Sequence, residues 1–209
     1  MRREWEIVRR RVALAGCVMD AGTGKPVQGA VVAITGMPDA FKKRLEVAAQ
    51  PYGNRWNTML ERPDRTRTRP DGLFYFLGLP DGKYGLIASI PGCGGRYGTV
   101  EESATVSRNA DGDTKIALVK CVLPPTLVKG KITASGRKTG VALARVRIKG
   151  SGERVFSDAQ GQYIVVGIEP GKRTLLVSAQ GYRAESQECT LGEPGASETL
   201  NFALTREGA

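Results

Sequence analysis

The stretch RPDGLFYFLGLPDGKY (residues 69–84) sets two Pro-Asp-Gly triplets around an aromatic run. Asp71 and Asp81 could serve as paired carboxylates, binding a cation or moving a proton. The same residue types also write turns, because Pro fixes φ, Asp accepts local backbone bonds and Gly supplies positive φ. The rest of the chain gives a catalyst little help. It contains no histidine, which removes Ser-His and Cys-His pairs, imidazole ligands and the usual proton shuttle near neutral pH. Glu101 and Glu102 are adjacent, so on a strand they point to opposite faces. Asp111 and Asp113 in RNADGDTK lack the further ligands and distal Glu of a calcium loop. Cys17, Cys93, Cys121 and Cys189 show no CxxC spacing and are expected to be free and partly buried. No catalytic residue, metal site or cofactor is expected, and the acidic triplets are assigned to turns.

The elements that carry these residues repeat. LAGCVMDAGTGKPVQGAVVAITG (14–36) aligns without a gap to VKGKITASGRKTGVALARVRIKG (128–150), placing Gly16, Ala30, Val32, Ile34 and Gly36 on Gly130, Ala144, Val146, Ile148 and Gly150. The block around Gly72, Phe74 and Gly82 then falls on Gly161, Tyr163 and Gly171. The first copy is about 25 residues longer between the blocks. In the second copy Glu169 precedes Pro170-Gly171 where the first has Pro80-Asp81-Gly82, so the acid moves while the turn stays. Alternation such as Arg145-Val146-Arg147-Ile148 has the period of a half-buried strand. The expectation is an all-β fold of two tandem seven-stranded-type β-sandwich domains, residues 11–123 and 124–209, after a basic arm over 1–10. A partly helical insertion over about 37–67 interrupts the first. Leu73, Tyr75 and Leu77 are expected on one side of their strand, with Phe74 and Phe76 on the other.

The pattern through Gly16, Val18, Asp20, Thr23, Gly24, Pro26, Val27, Gly29 and Ala30, followed by Thr68, Asp71, Gly72, Phe74, Leu79, Gly82 and Tyr84, resembles the carboxypeptidase regulatory-like domain. The second copy is similar through Ser157, Asp158, Gly161, Tyr163 and Gly171, but Arg173 stands where the family has an aromatic residue. The resemblance implies a transthyretin-type sandwich, an accessory module without the metallocarboxypeptidase catalytic domain. The hydroxyisourate hydrolases of that fold resemble a His, Arg and C-terminal Tyr-Arg-Gly-Ser site that this sequence lacks.

Binding is therefore the expected business of the chain. Tyr52, Arg55, Trp56 and Met59 crowd the insertion and are types enriched at interface centres. Before them Asp39 is expected to cap a short helix carrying Phe41 and Leu45 on one face, stopped by Pro51. The insertion is read either as a lid over Val31 and Ala33 or as a partner surface. Trp5 and Ile7 in the arm could add a strand to a neighbour. Arg145, Arg147 and Lys149 form a basic stripe, with Lys129 and Lys131 expected on a neighbouring strand. A net charge of +10 calls for acidic partners, yet stacking aromatics are missing from the stripe, which disfavours nucleic acid. The partners expected are other protein subunits of a larger assembly, with glycan stacking on Trp56, Tyr52 and Tyr97 as the alternative. MRREWEIVRRRVALAG has no apolar core of a signal peptide, and no segment suits membrane insertion. Synthesis in the cytoplasm is expected, in a setting such as a phage tail or a tail-like contractile particle.

Overall fold

The computed structural model of the chain describes residues 11–110 and 112–208. The expectations for Trp5, Ile7 and Asp111 lie outside the described residues. Among the described residues the architecture is all-β, with one short helix and one 3-10 turn. Its contacts divide it into two units: residues 1–91 with 100–122, and residues 92–99 with 123–209. The sequence-based boundary put residues 92–99 in the first sandwich. Their hydrogen bonds explain the difference: Gly98 N–H donates to the Pro124 carbonyl and Thr126 N–H to the Arg96 carbonyl.

In the first unit, β1 (Val12–Asp20) is flanked by β4 (Leu73–Leu77) and β8 (Ala117–Leu123). The second sheet runs β3 (Arg65–Arg67), β2 (Val31–Gly36), β5 (Gly82–Ser89), β6 (Val100–Arg108) and β7 (Thr114–Lys115). Leu14, Phe74 and Phe76 from one sheet and Val32, Tyr84 and Leu86 from the other are buried. β4 alternates as expected, Phe74 and Phe76 inward, Leu73, Tyr75 and Leu77 outward.

The second unit repeats this plan. β9 (Leu127–Ala134) is flanked by β12 (Gln162–Val166), β15 (Ser197–Thr199) and β16 (Phe202–Leu204). Facing it are β11 (Arg154–Phe156), β10 (Arg145–Ile148), β13 (Gly171–Ser178) and β14 (Glu185–Leu191). One core joins Val128, Ile132 and Tyr163 to Val146, Leu175 and Val177.

The correspondence reaches single hydrogen bonds. Thr68 Oγ1 accepts from Ala30 N–H at 2.9 Å and donates to the Val27 carbonyl at 2.6 Å. Ser157 Oγ accepts from Ala144 N–H at 2.9 Å and donates to the Val141 carbonyl at 2.7 Å. Each hydroxyl satisfies a backbone donor and acceptor that burial would otherwise leave unpaired.

The insertion folds back. α1 (Asp39–Ala49) begins after Pro38, the N-cap, so Asp39 lies in the first turn and makes no side-chain cap bond. That corrects its expected role: the carboxylate acts through the helix dipole. Phe41 is fully buried, edge-on to Tyr84 at 5.9 Å between ring centres. A 3-10 turn (Gly53–Thr58) follows.

Candidate protein-docking face

The acidic residues that opened the sequence argument are turn formers. Asp71 Oδ1 accepts from Leu73 N–H at 3.0 Å, and Asp81 pairs with Arg108 at 3.2 Å. Asp158, from a different place in the matching turn, accepts from Gln160 and Gln162 N–H groups at 2.9 and 2.7 Å. Asp20 does likewise for Gly22 and Thr23. Asp113 pairs with Arg11 and closes the β6–β7 turn with Asn109. Among the described residues no three Cys, Asp or Glu side chains gather as a metal site. Burial pushes the Cys121 thiol up to about 11 and also raises that of Cys189, which blunts both as nucleophiles. No described helix is long and apolar enough to cross a membrane.

The proposed binding residues separate into three groups. Phe41 belongs to the core and is unavailable to a partner, which corrects its assignment. Tyr52 and Trp56 lie 5.8 Å apart in the insertion, with Tyr52 exposed and the Arg62 guanidinium 5.1 Å over the Trp56 ring. Arg55 is exposed and Met59 half-buried beside them. Tyr97 is in the second unit, so the three aromatics of the glycan reading divide between units. Arg145, Arg147 and Lys149 are exposed, and β11 places Arg154 opposite Arg147. Lys129 and Lys131 are on β9, in the other sheet, so they do not widen this stripe as expected. The sheet assignment follows from β9 pairing with β12.

Sequence reasoning missed the most distinctive surface. The outward side of β4-β1-β8 carries Leu73, Tyr75 and Leu77 at 49, 39 and 38% exposure, with Leu118 at 81% and Val122 at 40% on β8. Ala15 and Cys17 of β1 lie between them, and Arg69 and Lys120 stand at the rim. Its shallow hollow measures about 630 Å3. The second unit supplies the control. At the places of Ala15, Cys17 and Leu73 it has Lys129, Lys131 and Gln162, all exposed. At the place of Tyr75 it keeps an exposed apolar residue, Ile164, but at the other three the fold tolerates charge and amide, so folding does not require Ala15, Cys17 and Leu73 to be apolar. The repeat alignment contained this signal, since a lysine facing an aliphatic partner marks a surface whose use has diverged.

Comparison with known proteins bears on the second unit. Residues 127–205 match the carboxypeptidase regulatory-like domain. The second unit is similar to that domain over these residues. The match falls on the copy whose motif departs further, and the first unit shares the hydrogen-bond framework of the second through Thr68 and Ser157. No curated protein matches the sequence. Among solved structures the chain is similar to the shaft pilin SpaA from Lactobacillus rhamnosus GG, at 12% identity and TM-score 0.43, covering 96% of this chain and 99% of that one. It is also similar to a streptococcal ancillary pilin, at 14% identity and TM-score 0.37, covering 94% and 62%. For the Bacillus anthracis TIE protein the values are 14%, 0.39, 93% and 34%. The chain thus spans about a third of the TIE chain and under two thirds of the ancillary pilin.

Proposed function

We propose that the chain is a non-enzymatic structural or adaptor protein that holds other protein subunits in a larger assembly. The observation that carries this reading is the apolar outer face of β4-β1-β8, set against its lysine-bearing counterpart in the second unit. A contiguous exposed apolar patch with a polar rim is the mark of an interaction surface. Its basic rim, Arg69 and Lys120, selects a partner patch edged by carboxylates. A particle put together in the cytoplasm, such as a phage tail, is the setting we propose.

The test replaces Leu73 and Leu118 with lysine, copying the polarity of the second unit. Native lysates are sedimented and the protein followed by immunoblot, with a thermal melt as folding control. Wild type should travel with a fast species and the folded variant should stay near the top. Equal sedimentation of the two would sink the role of this face.

A further inference from the structure

The open flank of the first unit, between the edge strands β3 and β4, is a groove of about 650 Å3. Arg44, Arg62, Arg65, Arg67 and Arg69 line it, with Glu61 as the one carboxylate among the lining residues. Among the described residues only Arg62 of the five is ion-paired, to Asp64 at 2.8 Å. The Arg62 side chain retains 9% of its exposure, and its Nε, like that of Arg65, is buried without an acceptor. Asp64 Oδ1 is buried without a donor as well, so the Arg62–Asp64 pair keeps its charge inside, and the guanidinium groups that open to the groove are those left to meet an anion.

The groove also offers backbone. β4 pairs with β1 on one side only; on its other edge the Leu73 N–H and C=O are taken by Asp71 and Arg69, and the backbone groups of Tyr75 and Leu77 are the ones that template strand addition. It is continuous with the apolar face, because Arg69 and Tyr75 line both, and Arg69 Nη2 donates to Tyr75 Oη at 2.9 Å. Charge decides the occupant. The chain's own arm carries Arg2, Arg3, Arg9 and Arg10 against Glu4 and Glu6, and a second copy brings a net +10. Both bring like charge to the arginines.

We infer that the groove takes an extended acidic segment of the partner subunit, added to the free edge of β4. This rests on the docking reading above. Alternate residues of an added strand face opposite ways. One set extends the row of Tyr75 and Leu77, and the other turns its carboxylates to Arg65, Arg67 and Arg69.

The probe is a fluorescein-labelled octapeptide alternating Glu and Val, read by anisotropy with the full-length protein. Wild type should bind it, and Arg67→Ala with Arg69→Ala should weaken binding about tenfold, the scale expected for two partly exposed charge pairs. High salt should weaken it too. Methylating the backbone nitrogens on one edge of the probe, charges unchanged, should abolish binding. A Kd as low as that of wild type with the unmodified probe, for the arginine variant or for the methylated probe, overturns the inference. So does equal binding of a Lys-Val octapeptide, or complete displacement by tripolyphosphate at matched charge, which would mark a plain anion site. The sedimentation test reads the adaptor proposal separately. Arginine-dependent probe binding beside normal sedimentation of the Leu73→Lys, Leu118→Lys variant overturns the docking role of the apolar face and upholds the groove. The reverse pair of results upholds the docking role of the face and overturns the groove.

Discussion

The hydroxyl of Tyr84 donates to the Pro80 carbonyl at 2.8 Å, and at the matching place in the second unit Arg173 Nε donates to the Glu169 carbonyl, also at 2.8 Å. Arg173 adds a second bond, Nη2 to the Pro170 carbonyl at 2.9 Å. A phenol and a guanidinium thus hold the same turn. Burial pushes the Tyr84 phenol up to about 12 from its ordinary 10, with Arg44 pulling it down and Asp81 raising it. The neutral form is therefore the one that folding favours. The first unit should keep this contribution below pH 10 and lose it as pH rises toward 12. Urea melts across that range, with Tyr84→Phe as reference, check the point. An unchanged difference between wild type and variant would refute it.

Phe41→Ala should destabilise the first unit by about 3–5 kcal/mol, the range for deleting a buried aromatic ring. The cause is the hole left beside Tyr84. Chemical denaturation measures it. Removing residues 38–66 should be at least as harmful, because Phe41 goes with them.

Ala15→Lys, Cys17→Lys and Leu73→Gln together should move the stability of the first unit by less than about 1 kcal/mol, since Leu73 is exposed, Ala15 and Cys17 are half-buried on the outward face, and substitutions away from the core are usually near neutral. The second unit already carries these residues in the same strands. A large drop in the melting midpoint would mean that the apolar face supports the fold after all.

Glu169 is held below the ordinary glutamate range, chiefly by the Gly95 N–H that donates to it at 2.8 Å, with Arg96 adding a bond and a charge. A depressed carboxyl contributes stability above its unfolded pKa and loses it as pH falls through the folded value. Amide exchange at Gly95 should therefore quicken, relative to its intrinsic rate, once pH drops below the usual glutamate range. Glu169→Gln should show fast exchange already at neutral pH. Protection that is independent of both would be the contrary result.

Leu143 has φ of 56° and is 77% exposed, whereas the corresponding Gly29 has φ of 75°. A left-handed conformation costs a side chain about 1–2 kcal/mol, and glycine avoids that cost. Leu143→Gly should raise the second unit's stability by about 1 kcal/mol in urea titration. Lower stability would show that the leucine earns its place by contact.

Much of the fold was legible because turns and alternation are local. Gly72 and Gly161, or Phe74 and Tyr163, carry their meaning within a few residues and appear twice. The fate of Phe41 was not legible, since helical spacing shows a face and never says what covers it. Pairing was hidden for the same reason: Lys129 and Arg147 each read as exposed strand positions, and only the hydrogen bonds of β9 and β10 send them to different sheets. The docking face lay between these cases. Its residues were visible one by one, but its extent depended on β1 standing between β4 and β8.

The eight residues Gly92–Thr99 limit how far the copies can be treated as interchangeable cassettes. A graft of the second unit cut at Leu123 would leave them behind. With them go the N–H groups that meet Glu169 and Pro124, and the Gly95 carbonyl that accepts from the Thr126 hydroxyl at 2.7 Å. The portable version of this domain comes in two pieces, and the smaller one is stored between β5 and β6.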